Sequence, residues 1–220
     1  QKILQNNSLI KAKTEHIISL YNYGEYKEAK IRAYKLHKKY PKIIILNNIL
    51  GLILTNEKNF DEAIPYFRNA IRLKPNYAVT YNNLANVYKA QGNLIEAKKY
   101  YKKAIALDPN SALTYNNLGV LYDELDEFDN SIFNFKKSIQ INPRFYVAYN
   151  NLGILYKQNG NFIEAKNYFD KSININPNFF AAHRNLSQLV KYKIGDKHLI
   201  QLEKFYNNPN NLPLQKRELA

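Results

Sequence analysis

The sequence predicts an all-α solenoid, a stack of near-identical helical hairpins. Proline recurs at Pro41, Pro75, Pro109, Pro143 and Pro177, each interval being 34 residues. A fixed period in the range of roughly 20 to 50 residues means one supersecondary unit repeated along the chain. Six of the seven glycines fall in two columns of that period. Within each unit the large apolar residues recur at helical spacing.

Counting columns from Ile10, Ile44, Ala78, Ala112, Tyr146 and Phe180 gives five full units, 10–43, 44–77, 78–111, 112–145 and 146–179. A flank of 1–9 precedes them, and 180–220 reads as a degenerate capping unit running into the start of a further, truncated C-terminal region. The first helix of each unit carries its stripe on columns 4, 7, 8 and 11. Column 7 holds Leu50, Leu84, Leu118, Leu152 and Leu186, and column 11 holds Leu20, Leu54, Tyr88, Tyr122 and Tyr156. Column 8 stays small (Gly51, Ala85, Gly119, Gly153, Ser187), so two antiparallel helices can approach closely. Column 15 ends that helix with Gly24, Gly92 and Gly160 in the left-handed region, where Asp126 fits moderately and Lys58 less well.

The second helix faces back with small residues in column 20 (Ala29, Ala63, Ala97, Ser131, Ala165) and aromatics in column 24 (Phe67, Tyr101, Phe135, Phe169). Pro65 falls near its first turn, where a missing N–H costs little. The periodic proline of column 32 then stops the helix, because its ring disfavours helical geometry in the residue before it.

This pattern resembles the tetratricopeptide repeat: aromatic in column 4, Leu-Gly in 7 and 8, Tyr in 11, Gly in 15, Ala in 20, aromatic in 24, Ala in 27 and Pro in 32. The match covers residues 10–179 and is strongest from Ala78 to Pro177. The resemblance implies hairpins coiled into a right-handed superhelix whose first helices line a concave, peptide-binding face.

In such a fold columns 2, 5, 6, 9, 12 and 13 point into the groove. Columns 5 and 6 read Asn82-Asn83, Asn116-Asn117, Asn150-Asn151 and Arg184-Asn185, and Asn86 lies in column 9. A side-chain amide donates and accepts, so it can hold a peptide group from both sides. Neighbouring first helices lie roughly 8–10 Å apart, and an extended ligand advances about 3.3–3.6 Å per residue. One asparagine rung would therefore meet about every third ligand residue. The ladder resembles that of the repeats in O-linked N-acetylglucosamine transferases, which hold peptide backbone this way. Asparagine there can equally serve local or inter-repeat hydrogen bonds, and both roles stay open. Four rungs at about 0.5–1.5 kcal/mol each supply roughly 2–6 kcal/mol, less than the about 8 kcal/mol of micromolar binding. Side-chain pockets must add the rest.

Lys89, Lys157, Arg184 and Lys191 occupy inward columns against Asp123 and Glu124, so a positive groove favouring an extended acidic segment is expected. The clamp with which chaperone-tail receptors of this family hold a C-terminal carboxylate needs lysine in column 5. Here that column is Thr14, Asn48, Asn82, Asn116 and Asn150.

The net charge of +14 raises nucleic acid as a partner. However, Lys98, Lys99, Lys102, Lys103, Lys136 and Lys137 fall on outward columns of second helices, with no nucleic-acid motif beside them, and nucleic acid is disfavoured. No stretch approaches 18 uninterrupted apolar residues, so no membrane span is expected. The most apolar run, Ile43 to Leu50, is broken by Asn47 and Asn48 and reads as a buried helix. Gln1 to Leu9 is polar and no secretory signal is read there; a cytoplasmic protein is expected. Absent cysteine excludes disulfides and thiolate chemistry. Absent methionine points to a trimmed N-terminus.

His16, His37, His183 and His198 have no metal-ligand spacing, and no metalloprotease, nucleophile-elbow or P-loop motif occurs. No catalytic residue, metal or cofactor is expected in this region. His16 and His183 fall in seam columns and are expected in the core.

From Ala181 the repeat pattern fades. Residues 183–192 read His-Arg-Asn-Leu-Ser-Gln-Leu-Val-Lys-Tyr, followed by Gln201 to Tyr206 and Gln215 to Ala220. This stretch resembles a junction in bacterial tetratricopeptide-sulfotransferase proteins, and Ile18 to Ala29 resembles the first unit of their arrays. That resemblance implies a substrate-recognition arm for a catalytic domain outside this chain. Self-association through the end repeats is a third reading.

Overall fold

The computed structural model describes residues 2–191, 193 and 196–207. All regular structure among them is helical: α1 (Lys2–Asn22), α2 (Tyr26–Lys39), α3 (Ile44–Asn56), α4 (Phe60–Leu73), α5 (Ala78–Ala90), α6 (Leu94–Leu107), α7 (Ala112–Glu124), α8 (Phe128–Ile141), α9 (Tyr146–Gln158), α10 (Phe162–Ile175), α11 (Phe180–Ser187) and α12 (Lys197–Asn207). The starts of α3, α5, α7, α9 and α11 follow each other at the 34-residue proline period. Helices α2, α4, α6, α8 and α10 each stop two residues before its proline.

Two compact units divide at Pro109. In the first, consecutive helices from α1 to α6 pack in order, and α1, α3 and α5 lie side by side. In the second, α7 to α11 repeat the arrangement, α7, α9 and α11 lie side by side, and α12 rests on α11.

In three of the hairpins the close approach has a visible cause. A Cβ on Gly51 would lie 2.5 Å from Phe67 Cζ, one on Gly119 2.7 Å from Phe135 Cε1, and one on Gly153 2.6 Å from Phe169 Cε1. All three rings are buried. The first hairpin inverts this arrangement, with Ile17 in column 8 and Ala33 in column 24, both buried in one cluster with Leu36, Leu46 and Leu50.

The turn in each full unit passes through the left-handed region at column 15: Gly24 at φ +81°, Lys58 at +60°, Gly92 at +76°, Asp126 at +57° and Gly160 at +74°. Lys58 and Asp126 hold this geometry at a cost of roughly 1–2 kcal/mol each.

In the second unit, serine hydroxyls tie second helices to first-helix backbone: Ser131 Oγ to Gly119 O at 2.9 Å, Ser138 Oγ to Ala112 O at 2.7 Å and Ser172 Oγ to Tyr146 O at 2.8 Å.

Two expectations need correction. His183 is fully buried, but His16 is exposed. A seam column of a first helix packs on the preceding second helix, and α1 is the first described helix. Pro65 lies in the second turn of α4, a turn deeper than expected. It removes a bond to Asp61 O on an exposed face without interrupting the helix.

Candidate functional site

The asparagine columns sit where first helices run side by side, and they staple those helices together. In the second unit, Asn151 Nδ2 on α9 donates to Asn116 Oδ1 on α7 at 3.0 Å. Asn185 Nδ2 on α11 donates to Asn150 Oδ1 on α9 at 2.9 Å. Each column-6 amide thus reaches the column-5 amide one helix back. Asn116, Asn150 and Asn185 are buried, whereas Asn117 and Asn151 are half-buried. A buried amide needs such a partner, since an unpaired one costs about 1–3 kcal/mol.

In the first unit the same columns are wired differently. Asn48 Oδ1 accepts from Thr80 Oγ1 at 3.0 Å, and the buried Asn82 reaches Asn83 Oδ1 at 3.5 Å. Asn86 Oδ1 accepts from Tyr101 O–H at 2.5 Å. Asn82, Asn83, Asn86 and Lys89 therefore share α5 of this unit, with Lys89 half-buried.

The remaining predicted residues belong to the second unit. Lys157 is half-buried on α9, its Nζ donating to Gln188 Oε1 at 2.8 Å. Arg184 is half-buried on α11, and Lys191 is exposed just beyond it. With Asn117 and Asn151 they place cationic groups and amides on neighbouring helices. The acidic counterpart lies at the end of α7, where Asp123 is half-buried. Burial pushes its carboxyl above the usual carboxylate range, and the nearby Asp126 and Glu124 push the same way.

Two features escaped the column reading. Column 4 reaches back to the periodic proline: Asn47 Nδ2, Tyr81 O–H and His183 Nε2 each contact the carbonyl of Pro41, Pro75 and Pro177, respectively, at 2.9 Å. Tyrosines of columns 11 and 23 also stack, Tyr88 on Tyr100 with centroids 5.3 Å apart and Tyr156 on Tyr168 at 5.4 Å. Burial raises the Tyr100 and Tyr168 hydroxyls above their ordinary value. Column 23 lies outside the apolar stripe, so periodicity alone gave no signal there.

Among the described residues no group of three His, Asp or Glu side chains is placed to hold a metal, and no helix is long and apolar enough to cross a membrane.

Models of the tetratricopeptide repeat match residues 42–110, 76–144 and 146–179. Among solved structures, a crystal structure of MamA is 26% identical, covers 72% of this chain and 93% of its own, and superposes with a TM-score of 0.61. PilF of Pseudomonas aeruginosa is 18% identical over 96% of both chains, with a TM-score of 0.75. YrrB, described as a tetratricopeptide protein with an unusual peptide-binding site, is 19% identical over 77% of this chain and 88% of its own, with a TM-score of 0.57. No curated protein matches the chain, and none of the three structures carries the sulfotransferase resemblance further. With repeat models spanning most of residues 42–179, the chain belongs to the tetratricopeptide repeat family.

Proposed function

We propose that this repeat array, read as units 10–43, 44–77, 78–111, 112–145 and 146–179, is a scaffold that holds an extended acidic segment of another protein along its first helices. The carrying observation is that Asn151 and Lys157 on α9 and Arg184 on the neighbouring α11 are all half-buried. One N–H of Asn151 is committed to Asn116. Its carbonyl and second N–H are the complement of a peptide group. The lysine and arginine add attraction for carboxylates, which sets polarity and speeds encounter. A neighbour described as peptide-binding, YrrB, shares the fold.

The test is fluorescence anisotropy with labelled acidic 12-residue peptides at low salt, on the wild-type chain and on Lys157→Glu with Arg184→Glu. The reading expects saturable binding that the double variant abolishes. Equal binding by both proteins would remove this face from consideration.

The recognition-arm reading rests on the resemblance of residues 183–192, part of which, with residues 208–220, lies outside the described residues. Intact mass of the native gene product separates the readings. A mass far above 25.8 kDa would send the work to sulfotransfer assays, and one near it would leave a free-standing adaptor.

A further inference from the structure

We propose a second binding site on the outer face of the first hairpin, one that takes an acidic amphipathic helix of a partner protein. A cavity of about 400 Å³ opens between α1 and α2. Ile17 and Leu36 contribute to its apolar floor, while Lys13, His16, Arg32, Lys35 and Lys39 surround it. Among the described residues no carboxylate lines it. The nearest acid on α2, Glu28, already accepts from Arg32 Nε at 2.5 Å.

The protein itself shows what such a face receives. One period later, the equivalent face of α3 and α4 is covered by α2. There Asn47 Oδ1 meets His37 Nε2 at 3.2 Å, and Tyr66 packs edge-on against Tyr34 and His37. Asn69 Nδ2 completes the seat by donating to Asn47 Oδ1 at 2.8 Å. Stepping back 34 residues turns Asn47, Tyr66 and Asn69 into Lys13, Arg32 and Lys35, all three lining the cavity. The seat for a helix is repeated, and its neutral polar groups have become cations.

A helix complementary to it therefore carries apolar residues for the floor and carboxylates facing those cations. A second copy of this chain is a poor occupant: α2 carries six Lys and Arg against one Glu, and the whole chain stands at +14. The site shares no residue with the asparagine face of the second unit.

The probe is a capped, fluorescein-labelled peptide of 14 residues with the sequence of α2, in which every Lys and Arg is replaced by Glu. It keeps the tyrosine and histidine that α2 uses on its own seat. Titrated with the full chain, the probe should bind saturably and weaken as salt rises past about 0.15 M, where screening shortens to about 8 Å. Lys35→Glu with Lys39→Glu should cost roughly tenfold in affinity, and Lys157→Glu should change nothing. Both lysines are exposed, so the fold should survive. If circular dichroism shows otherwise, Lys13→Gln with Lys35→Gln reads the same loss. No binding, equal binding of a scrambled peptide, or insensitivity to these substitutions would each overturn the proposal.

Discussion

His198 Nε2 lies 2.8 Å from His183 Nδ1, with the two rings stacked 5.0 Å apart and 11° from parallel. The Pro177 carbonyl, 2.9 Å from His183 Nε2, can only accept, so that nitrogen donates. His183 Nδ1 must then accept from His198. One proton order thus ties α12 to α11 and to the turn before it, and Gln201 Nε2 reaches the same carbonyl at 3.2 Å.

Stability should fall with acid through this pair. Burial holds both imidazoles below the usual histidine value. Around His198, His183 when protonated and the Lys166 ammonium push the same way, while Asp170 and Asp196 oppose them. The neutral forms belong to the fold, so the unfolded chain takes up protons first. Their contribution is complete above about pH 6.5 and is lost as pH falls below it. Thermal unfolding between pH 7.5 and 5.5 should show Tm dropping, with a shallower slope in His198→Gln. A flat wild-type profile would contradict the neutral, hydrogen-bonded pair.

Asn151→Ala should destabilise the second unit independently of any ligand. It strips the buried Asn116 carbonyl of its partner at 3.0 Å. A loss of about 1–3 kcal/mol is expected, read from urea unfolding. No measurable loss would mean that the amide bond adds little to holding α7 and α9 together.

Gly153→Ala should be harmful even though alanine is the better helix former. The new methyl would stand 2.6 Å from Phe169 Cε1, and overpacking costs about 1–3 kcal/mol. Adding Phe169→Leu should recover part of the loss. A Gly153→Ala protein more stable than wild type in urea would show that the ring yields.

Lys58→Gly should raise stability by roughly 0.5–1 kcal/mol. The lysine at φ +60° carries left-handed strain, partly offset by the extra freedom glycine gives the unfolded chain. Differential scanning calorimetry should show a higher Tm. A lower one would mean that Lys58 has an unrecognised compensating contact.

The repeat frame was readable in the sequence because backbone requirements are nearly binary. Column 15 demands a left-handed residue, and column 8 must leave room for Phe67, Phe135 or Phe169. The asparagines stand out as columns 5 and 6 of the period, but their wiring was not readable there. Asn151 and Asn116 are 35 residues apart, one beyond the period, a diagonal that exists only once helices lie side by side. His16 misled for a related reason: its column matches the seam, yet the seam needs a preceding helix. Tyr100 and Tyr168 were overlooked because they stand beside the apolar stripe of α6 and α10 and contribute by stacking on the neighbouring helix.

The inverted first hairpin bears on how a chain of look-alike segments avoids pairing wrongly. Ile17 stands where Gly51 admits the ring of Phe67, and Ala33 stands where that ring would be. If α1 tried α4 as its partner, a branched side chain would meet a phenyl ring in a space shaped for a hydrogen atom. If α3 tried α2, Gly51 would face Ala33 across a void. Both exchanges are penalised, so the opening hairpin has a mating code of its own. Misassembly between neighbouring units is a characteristic failure of repeat proteins, and a swap of bulk between two columns guards this hairpin against it.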